Sequence, residues 1–333
     1  MSLADAEVVL FNLSAPVMEL IKARLRRQEI VLRLDGIYHD RLSDGFITEF
    51  RSGLFRAFLR LGMRLGSLRE PMTEIANFVD RNFPIFIRIL LADRFIYQSE
   101  YSKRCWSRYF PRRKHSVIVN GARWNNDAPK CAPDDQIRLV TVYDDFRPAK
   151  RIDDLVEFIE WANENANVPV HLSILGFNGV FPKTYSERTK NLLGSSPYLD
   201  VMPRFSAITS GLVDVFKRSH AYVTFSFRDA CPNTVVEAMA HGLPVVATTS
   251  GGLPDIVGDA GLLIPVADDI QEHFYACRYE RDFPPIDFEA VLDATLVIAR
   301  NNGFYRDRVR ERFENNLDVS VIAARYVEAI LEG

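Results

Sequence analysis

The sequence predicts an α/β protein with parallel sheets, and three observations carry that prediction. Short apolar runs end in glycine or turn residues, helical stretches separate them, and 333 residues suit two such domains with proper cores. Hydrophobic residues make up 47% and charged residues 26%, so the chain reads as globular rather than disordered.

The elements follow in order. Glu7 to Phe11 reads as a strand, Pro16 to Arg27 as an amphipathic helix, and Ile30 to Leu34 as a second strand running into Asp35-Gly36. Arg94 to Gln98 and Ser116 to Val119 are later strands, the last leading to the turn dipeptide Asn120-Gly121. Residues 122–136 are polar with two prolines and mark a domain boundary. A second series then starts, with a strand from Arg138 to Tyr143, a helix from Asp153 to Asn165, and a strand from Val170 to Leu175 that stops at Gly176. Ala221 to Phe225 is a further strand, and residues after about Phe288 are helical.

The most informative stretch is Asp229 to Pro265. Pro232-Asn233 start a short helix, Gly242 and Pro244 stop it, and Val245-Val246-Ala247 read as a central parallel strand emptying into Ser250-Gly251-Gly252. The first-turn amides of that helix, at Asn233 and Thr234, form an anion site where open α/β sheets bind ligands. Asp229 and Glu237, eight residues apart, are carboxylates beside that site, and they suit sugar hydroxyls, which are donors. A nucleotide sugar offers both diphosphate and hydroxyls.

This stretch resembles the donor-binding signature of the family 4 glycosyltransferases, which have the GT-B fold of two Rossmann-like domains with parallel sheets and a cleft between them. The family pattern is Glu-x7-Glu, then EAMA-x-G-x-PVV, then a diglycine. Here Asp229 replaces the first Glu, and Glu237-Ala238-Met239-Ala240, Gly242, Pro244-Val245-Val246 and Gly251-Gly252 follow. RPAKRIDDL, from Arg147 to Leu155, resembles the family loop that holds the donor diphosphate. Lys150 falls on the usual lysine; the usual arginine position is Asp145, so Arg147 is the expected partner. The same loop also reads as a solvated cationic turn before a helix. Gly176-Phe177-Asn178-Gly179 would let the backbone approach a nucleotide base.

The resemblance spans about residues 4–330 and implies domains at 1–124 and 125–315, with a C-terminal helix over 316–333 packing back toward the first domain. RLDGIYHD and IYQSEYSK resemble the middle and end of a family N-domain, and the family normally opens with further elements ahead of AEVVLF. The first domain is therefore expected to be incomplete. His39 stands where the family often places a residue near the reacting sugar, and it reads equally as a surface loop histidine.

The resemblance implies a retaining glycosyltransferase that moves a sugar from a nucleotide-diphosphate sugar to a glycan or lipid-linked acceptor, in surface polysaccharide or lipopolysaccharide assembly. No metal or other cofactor is expected: Asp144-Asp145 and Asp153-Asp154 read as loop and helix-start acids rather than as a metal pair. Asp229, Lys150, Arg147 and His39 are the expected catalytic residues. Glu237, Asn233, Thr234, Gly176, Phe177, Gly251 and Gly252 are the expected donor-binding residues. Two alternatives stay open, a nucleotide-sugar 2-epimerase and a non-catalytic donor-binding module.

Charge and cysteines bound the setting. Residues through Asn125 hold 21 Lys and Arg against 13 Asp and Glu, a net of +8. The remainder holds 20 against 31, a net of −11, which gives the overall −3 and suggests two halves with different partners. Arg56, Arg60 and Arg64 recur every four residues among Leu54, Phe55, Phe58, Leu59 and Met63. That is a basic amphipathic helix suited to an anionic membrane surface, although an ordinary helix with a solvated arginine face has the same pattern and Gly53, Gly62 and Gly66 weaken it. Cys105, Cys131, Cys231 and Cys277 show no metal or disulfide spacing, which points to a reducing cytosol. A cytoplasmic protein, peripheral at the inner membrane face, is expected. The acidic balance argues against nucleic acid.

Overall fold

The computed structural model describes residues 6–36, 42–79, 83–107, 109–110, 112–125, 135–143, 146–177, 185–203, 210–267 and 283–331. The described residues divide into two compact units, one from residues 6–119 and 324–331, the other from residues 120–267 and 283–323.

In the first unit β1 (Val8–Asn12), α1 (Val17–Leu25) and β2 (Glu29–Leu34) form a β-α-β repeat. Helices α2 (Asp44–Thr48), α3 (Gly53–Arg64), α4 (Arg69–Asn77) and α5 (Phe83–Leu91) lead to β3 (Arg94–Tyr97), and α6 (Glu100–Ser107) leads to β4 (Lys114–Val117). The four strands are parallel in the order β1-β2-β3-β4. β2 and β3 are buried through most of their length, as their apolar runs require. A separate apolar cluster of Leu42, Phe46, Ile47, Phe50, Leu59, Met72 and Ala76 holds α2, α3 and α4 together. Gly62 earns its place there, because a Cβ would overlap the Met72 side chain. The last strand starts and ends two residues before its expected span of Ser116 to Val119. Its first two residues, Lys114 and His115, lie exposed at the sheet edge, so no hydrophobic pattern marks them. The Ile118 amide still donates to the Tyr97 carbonyl at 2.9 Å, so the expected stretch continues the ladder beyond the strand proper.

The second unit runs β5 (Ile137–Val142), α7 (Ile152–Asn165), β6 (Val170–Phe177), α8 (Glu187–Ser195), β7 (Leu199–Pro203), α9 (Ser210–Arg218) and β8 (Ala221–Thr224). It continues through α10 (Asn233–Ala240), β9 (Val245–Thr248), α11 (Leu253–Val257), β10 (Gly261–Ile264), α12 (Phe288–Arg300), α13 (Asn302–Asn316) and α14 (Val319–Leu331), whose final turns belong to the first unit. Six parallel strands lie in the order β10-β9-β8-β5-β6-β7. Their core packs Ile152, Leu155, Phe158 and Ile159 of α7 and Val291 and Ile298 of α12 against Leu139, Leu172, Val223 and Val246.

Two features tie this sheet. β6 continues past its expected stop at Gly176, whose φ of 101° lets the strand pass against the Tyr143 backbone; a Cβ would overlap the Tyr143 carbonyl oxygen. Arg306 of α13 is buried and donates to the Ser219 carbonyl at 2.9 Å, the Gly242 carbonyl at 3.2 Å and Asn302 Oδ1 at 2.6 Å. Backbone carbonyls that follow α9 and α10 are thereby satisfied by a later helix.

Candidate functional site

The chain enters the second sheet at β5, adds β6 and β7 on one side, and then crosses to add β8, β9 and β10 on the other. The reversal falls between β5 and β8. At such a switch point the loops leaving the carboxyl ends of the two strands diverge and open a crevice, the usual ligand position in an open α/β sheet.

Lys150 leaves β5 through a single 3-10 turn, Pro148–Lys150, and Asp229 leaves β8. Across the crevice Lys150 Nζ meets Asp229 Oδ2 at 2.8 Å, with both side chains mostly shielded. The Phe227 amide donates to the Ala149 carbonyl at 2.8 Å, so backbone as well as side chains join the two loops. Burial opposes the charge on Asp229, but the Lys150 ammonium, the Cys231 amide on Oδ1 at 3.2 Å and the field of Arg147 outweigh it. The Asp229 carboxyl therefore lies below its ordinary range.

Both members of this pair adjoin a residue in the left-handed region. Arg151 follows Lys150 with φ 53°, and Arg228 precedes Asp229 with φ 53°. For side-chain-bearing residues this costs about 1–2 kcal/mol each. Specific contacts hold them there. Arg151 is buried, pairs with Asp154 Oδ2 at 2.7 Å and lies over the Phe283 ring, while the Arg228 amide donates to Ser250 Oγ at 2.9 Å. Strain that frames an ion pair at a switch point marks the place where geometry is being enforced.

The diglycine completes the frame. Gly251 has φ 66°, and a Cβ there would overlap the Asp229 carbonyl oxygen; the Gly252 amide donates to that same carbonyl at 2.8 Å. These glycines therefore seat the Asp229 peptide.

Beneath the pair lies a layer of hydroxyls. Tyr143 Oη meets Thr224 Oγ1 at 3.2 Å, and Thr224 donates to Ser226 Oγ at 3.1 Å. Tyr222 donates to Thr234 Oγ1 at 2.9 Å, which fixes the first turn of α10. Burial raises the pKa of both tyrosines, so they remain neutral donors.

The start of α10 has Pro232 as its cap, with no side-chain acceptor. Asn233 is exposed there and takes a short hydrogen bond from the Asn120 side-chain amide. Glu237 is exposed one turn further along the helix. Phe177 is partly exposed at the end of β6, with its ring 5.4 Å from that of Phe146.

The structure thus brings Lys150, Asp229, Arg147, Gly251, Gly252, Asn233 and Thr234 into one loop cluster. His39, Asn178, Gly179, Asp144 and Asp145 lie outside the described residues. The sequence reading missed Arg228, Ser250, Tyr143, Tyr222 and Asn120. Position was the available signal for these: each falls within a few residues of a strand's carboxyl end or flanks the motif. Among the described residues no group of three or more His, Cys, Asp or Glu could hold a metal ion, and no helix is long and apolar enough to cross a membrane.

Comparison with known proteins places this geometry. Residues 138–278 match the family described as glycosyl transferases group 1. A search of curated proteins returned no match. Among solved structures the chain is similar to the pneumococcal O-GlcNAc transferase GtfA in complex with UDP and GlcNAc, at 14% identity and TM-score 0.60, over 98% of this chain and 58% of that one. It is also similar to the lipopolysaccharide outer core galactosyltransferase WaaB, at 15% identity and TM-score 0.59, over 98% of this chain and 75% of that one. Anabaena HepE in complex with UDP-glucose gives 15% identity and TM-score 0.57, over 98% and 79%. The chain spans little more than half the length of the first of these. At such identities the likeness establishes the fold, GT-B, and within it residues 138–278 match the glycosyl transferases group 1.

Proposed function

We propose that this protein is a retaining glycosyltransferase of the hexosyl-transferring kind, using a nucleotide-diphosphate sugar and needing no metal ion. The observation that carries the reading is the Lys150–Asp229 pair, fixed by strained flanking residues at the switch point of a sheet that matches a glycosyltransferase family. Lys150, Arg147 and the amides at Asn233 and Thr234 would gather the diphosphate and stabilise the charge that grows as it departs. Asp229, already ionised, would accept hydrogen bonds from the donor sugar, and Glu237 would accept them from the ribose. The sugar–diphosphate bond breaks, the acceptor oxygen bonds to the same face of the anomeric carbon, and the acceptor proton passes to the departing phosphate. Solved structures similar to this chain include complexes with UDP and with UDP-glucose, which supports a nucleotide-sugar donor here.

The acceptor is a glycan or a lipid-linked glycan of surface polysaccharide or lipopolysaccharide assembly, and the protein works in the cytoplasm against the inner membrane face. Helix α3 supports this placement. Leu54, Phe58, Leu61 and Leu65 follow the spacing of a single helical stripe, and all four are exposed, Leu54 at 88%. Roughly a third of a turn round the helix, Leu59 enters the apolar cluster and Gly62 packs against Met72. Arg56, Arg60 and Arg64 form a third strip that flanks the exposed stripe on its other side, where long side chains can reach lipid phosphates.

Titration calorimetry of UDP, GDP and ADP, and of their common sugars, into wild type, Lys150→Ala and Glu237→Ala tests the donor site. Saturable binding of one nucleotide, weakened tenfold or more by each change, is the expected result. A folded protein that binds none of them would refute the reading.

A further inference from the structure

We propose that the first unit holds a second anion site, for a small ligand carrying two or more phosphoryl groups, in the cavity between β3–β4 and the end of α14. The cavity has a volume of about 810 Å³, enough for a diphosphate with an organic substituent. Its walls include Arg94, Arg112, Arg113, Lys114 and Arg325 against one carboxylate, Glu328.

Strand register explains the gathering. Arg94 lies opposite Lys114, and Ile96 opposite Ser116, so Arg94, Lys114 and Ser116 share one face of the sheet. That is the face α14 covers, since Arg94 donates to the carbonyls of Ala329 at 2.6 Å and Ile330 at 2.9 Å. Arg325 then enters the same cavity from the helix.

The five cations are not equivalent. Arg94 is committed to those carbonyls and to Glu29, at 2.6 and 3.0 Å. Arg113 donates to the Ala92 carbonyl at 2.8 Å and lies over the Phe95 ring. Arg112 and Lys114 make no hydrogen bond or ion pair among the described residues. Glu29 answers Arg94 and the Asp93 carboxylate acts on Arg113, so Arg112 and Lys114 are the cations of this wall that no such group answers among the described residues. A lysine on an edge strand is a common guard against aggregation. That role explains Lys114, but it does not require Arg112 and an arginine from another element to converge on it. Cations converging in a concave, low-dielectric wall focus potential, and guanidinium groups match phosphoryl oxygens in pairs.

The strand cations of the cavity, Arg94 and Lys114, are the first residues of β3 and β4, whereas Asp35 and Gln98 follow the carboxyl ends of β2 and β3. It is therefore separate from the crevice position that open sheets favour, and the proposal stands independently of the nucleotide-sugar reading.

The test is titration of inorganic pyrophosphate and tripolyphosphate into the full chain at 150 mM salt, in a Lys150→Ala background that disables the proposed donor site. Saturable binding, weakened at least tenfold by Arg112→Ser with Lys114→Ser, is the expected result. Both changed side chains are exposed, so the fold is spared. Absent binding, or equal binding by the double variant, overturns the proposal. Neutral phosphatidylcholine vesicles doped with a lipid diphosphate separate the two sources. Capture that pyrophosphate reverses assigns the phosphates to a lipid headgroup, and pyrophosphate binding without capture assigns them to a soluble anion.

Discussion

Asp229 shows how a single side chain reports on a whole loop system. Its carboxyl pKa lies below the ordinary value of about 3.9, so the stabilisation from its pairing with Lys150 is complete above that pH and is lost as pH falls through the lowered value. Thermal denaturation from pH 7 to pH 3 should therefore show a steeper acid loss in wild type than in Asp229→Asn; identical profiles would remove the ion pair from the stability of the folded state. Gly251→Ala is a sharper probe, because it combines left-handed strain with overlap on the Asp229 carbonyl. The expected outcome is a loss of at least 2 kcal/mol in stability by denaturant titration, about the sum of strain and displacement, with nucleotide affinity reduced more than tenfold. At this scale the loops that carry Asp229 and Lys150 were legible, since both residues sit at fixed distances from recognisable turns, and the structure brings the two side chains together. The left-handed conformations at Arg151 and Arg228 were not, because nothing in an arginine announces a positive φ. Arg151 read as one member of a cationic loop, yet it is buried by Phe283 and Asp154, residues it meets only once the sheet has formed.

Elements were legible in proportion to how completely they are buried. β2, β3, β5, β6, β8 and β9 are apolar runs and were expected within one or two residues, except that β6 runs on past Gly176. β7, at one sheet edge, mixes Asp200 with half-exposed neighbours, and β10 at the other edge has four residues, so neither carried a period strong enough to read. Helix α3 formed despite Gly53 and Gly62. Ser52 accepts from the Phe55 amide at 3.3 Å to cap it, and Gly62 packs closely on Met72, so tertiary contact outweighs propensity. Its exposed stripe yields a direct expectation. Leu54→Ser with Phe58→Ser should reduce sedimentation with vesicles rich in anionic lipid by tenfold or more and leave soluble nucleotide binding unchanged. Unchanged sedimentation would remove α3 from membrane contact.

At the level of the whole molecule the last turns of α14, residues 324–331, belong to the same unit as β1 to β4. Arg94 is the residue that makes this structural, because two carbonyls at the end of α14 and Glu29 share its guanidinium. Deleting residues 324–333 would leave that buried cation with Glu29 alone. Hydrogen exchange should then accelerate across β2 and β3 while the strands around Lys150 and Asp229 keep their protection; uniform acceleration would show that the tail serves the second unit as well. Arg306 has a consequence of a different kind, for the order of events during synthesis. The carbonyl of Gly242 waits for a donor 64 residues later in the chain. At ordinary elongation rates that is a delay of roughly 3–13 s. For that interval the Gly242 and Ser219 carbonyls lack the donor that satisfies them, so the second unit completes itself only once α13 has been made.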